Sequence, residues 1–128
     1  MLYIGIDSGT QSTKSIILDL ASGQIMASAQ KTYDLIPGLP PGHLEQDPQV
    51  WLEAVDATIQ ACLQPLGPRK NELRAIGVSG QQHGLVALNG ANGVVRPAKL
   101  WCDTSTARQC EEIIRAFGGS GALHRFAN

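Results

Sequence analysis

The sequence predicts a mixed α/β domain whose sheet opens as an antiparallel meander. Three observations predict it. Three apolar or β-branched runs lie between Leu2 and Tyr33, separated only by short turns. A single helix-like segment follows, opened by Asp47-Pro48 and stopped by Pro65. A further apolar run, residues 74–79 (RAIGVS), comes after that helix. The resulting order is β-β-β-α-β, then an irregular insert, then a last helix.

Each element has a local reason. Residues 2–6 (LYIGI) form a short apolar run that ends in Asp7-Ser8-Gly9-Thr10, a strand followed by a tight glycine turn. Residues 14–20 (KSIILDL) read as a second strand, Ala21 to Gln24 as a turn, and Ile25 to Tyr33 as a third strand. Strands this close in sequence pair antiparallel. Pro37, Pro40 and Pro41 with two glycines mark a loop, because proline cannot join a sheet ladder. Asp47 suits the N-cap of the next helix and Pro48 its first position. Leu52, Val55, Ile59, Cys62 and Leu63 fall on one face of it. Pro65 and Gly67-Pro68 stop it.

Residues 74–79 read as a buried strand, and Leu85 to Leu88 as a short strand. Asn89 to Gly93 (NGANG) reads as a hairpin turn. Val94, Val95, Leu100 and Trp101 then form the return strand, interrupted by Pro97. Thr104 or Ser105 is expected to cap a last helix with Cys110, Ile113, Ile114 and Phe117 on one face, ended by Gly118-Gly119. Three antiparallel strands, a helix and a further strand are the opening of a ribonuclease-H-like α/β domain. The strands and helices that would complete such a sheet do not follow.

Composition narrows the function. The 128 residues are 43% hydrophobic and 16% charged, with a formal net charge of -1. That balance is globular. It offers no basic excess to neutralise phosphates along a nucleic acid. No apolar run approaches the ~20 residues of a membrane span. The start MLYIGIDSG lacks a basic leader segment, so a cytoplasmic location is expected. The three cysteines, Cys62, Cys102 and Cys110, show no CxxC spacing. They read as reduced thiols, with Cys62 and Cys110 in the core.

Three segments could carry chemistry. Asp7 to Lys14 (DSGTQSTK) lies between two strands and gathers backbone N–H groups, hydroxyls and one lysine, which are the groups a phosphate needs. Asp7 could hold Mg²⁺ beside that phosphate through a metal-bound water. An ordinary hairpin would need no more than the glycine turn. Gln81-Gln82-His83 follows a buried strand, where α/β sheets bind ligands. Its amide and imidazole groups suit sugar hydroxyls, although a solvated loop histidine would look the same. Trp101-Cys102-Asp103 precedes the last helix. An indole face suits the C–H face of a sugar and a carboxylate suits its hydroxyls. In isolation those residues read better as a core tryptophan and a capping aspartate. Trp51 reads as a packing residue, and His43 and His124 receive no role.

Taken together, the segments resemble a known family. IGIDSGTQSTK resembles the first phosphate motif (DxGTxxxK) of the FGGY carbohydrate kinases, within the actin–hexokinase–Hsp70 superfamily. HLEQDPQVW resembles the EQDP…W segment that opens that family's first helix. IGVSGQQHG and LWCDTSTARQC resemble the GQxHG and LWxD elements of its xylulokinase branch. The resemblance implies phosphoryl transfer from ATP with Mg²⁺ to the primary hydroxyl of D-xylulose. It implies Asp7 near the metal and γ-phosphate, and Gly9, Thr10, Thr13 and Lys14 in the phosphate hairpin. It implies Gln82 and His83 as the sugar-contacting pair, with Trp101 and Asp103 lining the sugar pocket. Sugar and ATP are then the partners, without nucleic acid or membrane, and a homodimer of the parent protein is compatible with it.

Family members are several times longer than 128 residues, and the resemblance covers only the opening of their pattern. Residues 1–128 are therefore expected to be the N-terminal part of a first kinase domain, with the second, nucleotide-binding domain absent. The family's catalytic-base aspartate has no counterpart here, so the chain alone is expected to be inactive. The competing readings are a non-catalytic sugar-binding or regulatory module and a kinase for another ketose or polyol. A ribonuclease-H-like nuclease is disfavoured, because no acidic cluster follows Asp7 on the early strands. An actin-like structural protein gains nothing from the Gln-Gln-His-Gly and Trp-Cys-Asp elements.

Overall fold

A computed structural model describes residues 1–127. Strands β1 (Leu2–Ser8), β2 (Ser12–Asp19), β3 (Gln24–Thr32) and β5 (Leu73–Gly80) form one sheet in the order β3-β2-β1-β5. The first three strands pair antiparallel and β5 pairs parallel to β1. Between β3 and β5 run the short strand β4 (Glu45–Gln46) and helix α1 (Pro48–Leu63). Strand β6 (Ala98–Lys99) pairs with β4, and helices α2 (Ala107–Ala116) and α3 (Ser120–Ala127) follow. The predicted β-β-β-α-β opening is therefore present. No described helix is long and apolar enough to cross a membrane.

The period-2 pattern of the strands decides which face is covered. Leu2, Ile4 and Ile6 of β1 are buried, as are Thr13, Ser15 and Ile17 of β2. Their register places Ile4 opposite Ile17 and Ile6 opposite Ser15, so all six side chains share one face. Helix α1 packs on that face through Ala54, Thr58 and Cys62. The buried hydroxyl pair Ser15–Thr58 (2.8 Å) joins helix to sheet, and the Cys62 thiol donates to the Ser15 carbonyl at 3.4 Å. At the start of α1, the Asp47 side chain accepts the Gln49 N–H (2.9 Å) and Pro48 occupies the first turn, as predicted.

Several sequence expectations are corrected here. Leu52 is 65% exposed, because α1 turns Ala54, Val55 and Thr58 to the sheet instead. Strand β5 is not buried. Helix α1 lies over β2 and β3, and Val78 at the far edge is 72% exposed. Residues Leu85 to Leu88 make no strand. They form only the single bridges Leu85–Lys99 and Leu88–Val94, since this loose hairpin has no third strand to hold it. Its return strand shrinks to Ala98–Lys99, past Pro97, which has no N–H to donate. Cys110 is exposed on α2, because neither α2 nor α3 packs on the sheet, whereas Cys62 is core as expected. Neither Thr104 nor Ser105 caps α2. The helix begins after Thr106 without a side-chain cap, and the Ser105 hydroxyl is engaged by Asp103.

Candidate functional site

The site forms where β1 and β5 end. Parallel strands deliver both chain ends to the same edge, which is where α/β sheets bind ligands. The register sets Ser8 beside Gly80, and the Gln81 N–H donates to the Ser8 carbonyl at 2.9 Å. The approach at Gly80 is close, since a Cβ would come within 3.2 Å of that carbonyl and the strand end would have to shift by a few tenths of an ångström. The phosphate-type hairpin and the Gln-Gln-His segment are thereby adjacent, although 71 residues separate Thr10 from Gln81.

The hairpin itself is tight. The Gly9 N–H donates to the Ser12 carbonyl at 2.9 Å, so it is not open to a ligand. The N–H groups of Thr10 and Gln11 have no partner among the described residues. Tyr33 reaches across from the end of β3, and its hydroxyl donates to the Gly9 carbonyl at 2.6 Å. The Thr13 hydroxyl lies 3.2 Å from that of Tyr33 and 3.0 Å from that of Ser8. Thr13 is fully buried and does not line the cleft. It braces the hairpin from beneath.

An open cleft of about 460 Å³ lies against the hairpin, lined by Asp7, Gly9, Thr10, Gln11, Ser12 and Trp101. Trp101 is 61% exposed and is not a core residue. Its indole N–H donates to the Thr10 hydroxyl (3.1 Å), which fixes the ring across the cleft mouth. Lys14 sits opposite Asp7 in the β1–β2 register and lines a second groove, on the uncovered face of the sheet. Asp7 lines both grooves. It is the one carboxylate lining the cleft among the described residues. A single carboxylate suits Mg²⁺, which keeps several waters and takes phosphate oxygens for the rest, so the donor set fits that ion.

Gln82 and His83 are exposed just beyond β5. His83 has φ 60°, a left-handed conformation that a non-glycine residue rarely adopts. Asp103 is placed differently. Its side chain is only 2% exposed and accepts the N–H groups of Leu44 (2.8 Å) and Ser105 (3.0 Å). It thus ties the Trp101 loop to the segment before β4 rather than facing the cleft. Glu45 completes this clasp, contacting Arg96 (2.7 Å) and Lys99 (3.0 Å), and Lys99 also lies 3.3 Å from Asp103. His43, Glu45 and Asp103 approach one another within 4.8 Å, as metal ligands do. Two cations already neutralise that pair of acids, so the cluster is an ion-pair knot.

The clasp has a definite pH signature. Burial alone would raise the Asp103 carboxyl, but hydrogen bonds from Ser105 and Leu44 and the Lys99 ammonium outweigh it and hold it well below the ordinary 3.8. Lys99 and Arg96 lower Glu45 from its ordinary 4.5, and Glu45 raises Lys99 from 10.5. A depressed carboxyl stabilises the fold above its ordinary value and loses that contribution as pH falls through its folded value. A raised lysine contributes below its ordinary value and loses it as pH climbs. The clasp should therefore be tightest between about pH 5 and 10. Urea midpoints of the chain should fall from pH 7 to pH 3, and Asp103→Asn should flatten that limb. Parallel curves for the two proteins would count against the clasp.

Gln46, which the sequence reading left without a role, and Gln81, read there with Gln82 and His83 as suiting sugar hydroxyls, are central to the site. Gln46 is fully buried, and its amide N–H₂ donates to the carbonyls of Thr10 (2.7 Å) and Asp34 (3.3 Å). Its carbonyl accepts the Trp51 indole N–H at 2.9 Å, so Trp51 orients as well as packs. Gln81 accepts the Thr10 hydroxyl proton at 3.1 Å. Thr10 is thus held at its backbone by Gln46–Trp51 and at its side chain by Gln81 and Trp101. A glutamine beside an N-cap aspartate gives no local signal of this kind.

Known proteins are similar to this chain in sequence and fold. Residues 2–124 match the model for the N-terminal domain of the FGGY family of carbohydrate kinases. A xylulose kinase of Haemophilus influenzae is 40% identical over 126 residues, which are 95% of this chain and 25% of that protein. The crystal structure of a xyloylose kinase from Brucella ovis superimposes with a TM-score of 0.81 at 33% identity, over 91% of this chain and 25% of that one. A gluconate kinase from Lactobacillus acidophilus superimposes at 0.76 with 27% identity, over 98% of this chain and 25% of that one. The chain thus spans about a quarter of the length of these proteins.

Proposed function

Because the chain belongs to the FGGY family of carbohydrate kinases, we propose that the protein containing these residues is an ATP-dependent xylulokinase. It transfers the γ-phosphoryl group of ATP to the primary hydroxyl of D-xylulose, giving D-xylulose 5-phosphate. The observation that carries this reading is the meeting, at Thr10, of a phosphate-type hairpin and an exposed indole. Phosphoryl transfer depends on placing donor and acceptor side by side, more than on covalent help from the protein. The cleft between Asp7 and Trp101 offers one wall for each.

The residues divide accordingly. The free N–H groups of Thr10 and Gln11 face phosphate oxygens, with Gly9 giving the turn and Lys14 a positive charge nearby. Asp7 holds Mg²⁺ through bound water, and that ion, when bound, neutralises charge on the phosphates. Trp101 presents its ring to the C–H face of the sugar, since its N–H is already committed to Thr10. Gln82 and His83 address the hydroxyls. Asp103 shapes the loop that carries Trp101. Such chemistry, drawing on ATP, is placed in the cytoplasm.

Residues 1–128 are the first part of that kinase's first domain in this reading, with the catalytic base and the adenosine pocket supplied by later sequence. The 128-residue chain by itself should release no ADP in response to ketose. The decisive assay is ADP release by the product of the uninterrupted reading frame that contains these residues. D-xylulose should be compared with L-ribulose, L-rhamnulose, gluconate and glycerol, and with His83→Ala as control. A D-xylulose preference that the control loses is the expected result. Turnover of gluconate, for which a similar fold exists, would keep the family and replace the substrate. Absence of any turnover would leave a non-catalytic sugar-binding module.

A further inference from the structure

The Thr10 hydroxyl poses a hydrogen-bonding problem. It carries one proton and two lone pairs. The Trp101 indole N–H takes one lone pair, at 3.1 Å. The proton goes to the Gln81 amide oxygen, also at 3.1 Å. Thr10 lines the cleft, yet in this arrangement it has no proton to offer an anion there. The other end of the same amide is equally unusual. The Gln81 side-chain nitrogen is buried and has no partner among the described residues. Orphaned buried N–H groups are rarer and costlier than under-satisfied carbonyls.

One motion removes the first oddity and eases the second, because the buried position then holds a carbonyl, the cheaper group to leave without a partner. The amide oxygen and nitrogen are nearly isosteric, so the group can turn over in place. Its nitrogen then donates to the Thr10 hydroxyl, and its carbonyl takes the position of the orphaned donor. Thr10 accepts from both Gln81 and Trp101, and its proton is released toward the cleft. A phosphate oxygen arriving there would receive a charge-assisted hydrogen bond, the stronger kind.

We propose that Gln81 is a positioning residue for the donor phosphate, whose side-chain amide turns over to direct the Thr10 hydroxyl proton inward in the free protein and outward to a bound phosphate. The inference rests on the phosphate role proposed above for the hairpin. Gln81 needs no contact with ATP, since it acts through Thr10. The Gln46 bond to the Thr10 carbonyl keeps the backbone still while the hydroxyl changes partner.

The test is the ATP dissociation constant of the full-length protein, measured calorimetrically without sugar. Gln81→Glu supplies only an acceptor and traps the Thr10 proton inward, so ATP should bind about ten-fold more weakly. Gln81→Met removes acceptor and donor together, leaving the proton free to face the cleft, and should lose less than Glu does. A purely structural role gives the opposite order, because Glu preserves the shape better. Thr10→Val should itself weaken ATP about ten-fold, and adding Gln81→Glu to it should cost at most about two-fold more. A Glu effect that persists undiminished on Thr10→Val would be charge repulsion and would overturn the proposal, as would Met losing more than Glu. Should Gln81→Glu fail to fold in a thermal scan, Thr10→Ser must keep the affinity that Thr10→Val loses; equal binding by the two overturns the proposal. D-xylulose turnover by the wild type separates the two levels. Turnover with the wrong variant order sinks the amide switch alone, whereas a wild type that neither binds ATP nor turns over ketose sinks the kinase reading with it.

Discussion

Asp7→Asn is expected to lower ketose-dependent ADP release by the full-length protein about 10² to 10³-fold. Asp7 stands at the C-terminal end of β1, exposed, on the wall of the cleft beside Gly9 and Thr10. It makes no ion pair among the described residues, with Lys14 or any other cation. Its charge therefore does nothing for the fold that asparagine would not do, and the thermal midpoint should stay where it is. What asparagine cannot supply is the full negative charge that holds a hydrated Mg²⁺ against phosphates. The loss should fall on turnover and on the Mg²⁺ requirement, while sugar binding in the absence of ATP is unaffected. Turnover within about ten-fold of wild type would remove Asp7 from the metal role.

Gln46→Leu should destabilise the chain by about 3 kcal/mol, although leucine is close to glutamine in volume. The substitution leaves the Thr10 carbonyl, the Asp34 carbonyl and the Trp51 indole N–H without partners at a fully buried position. Unmade bonds at such a site cost about 1 kcal/mol or more each. With a urea dependence of about 2 kcal/mol per molar, the midpoint should fall by more than about 1 M. Trp51→Phe breaks only one of the three bonds and should lose about a third as much. In the full-length protein Gln46→Leu should also weaken ATP, because the hairpin backbone is then pinned on one side only. An unchanged urea midpoint would show that the buried amide is not what anchors the hairpin.

Local signals were enough for much of this protein. Asp47-Pro48 announces the start of α1, and the alternation of Leu2, Ile4 and Ile6 announces β1, because capping and period-2 burial are written in adjacent residues. The same holds for the short connections that make β1, β2 and β3 a meander. The motifs around Asp7, Gln82 and Trp101 are equally local, since each gathers its polar or aromatic groups within a few adjacent residues. Neighbourhood and exposure were different. Leu52, Cys110 and, on β5, Ile76 and Val78 look like core, yet they are exposed. Burial depends on what packs opposite, and the sequence pattern of a strand does not say whether a helix lies above it. Leu85 to Leu88 has strand composition without a partner ladder. Asp103 and Thr13 have the right chemistry for ligands but are turned inward by Lys99, Ser105 and Tyr33, which are distant or unremarkable in sequence. Gln46 and Gln81 acquire their roles only because chain closure brings them 36 and 71 residues back to Thr10. Side-chain hydrogen bonds across such separations leave no periodic trace, so it took the folded sheet, with β1 and β5 ending side by side, to make one threonine the junction of the site.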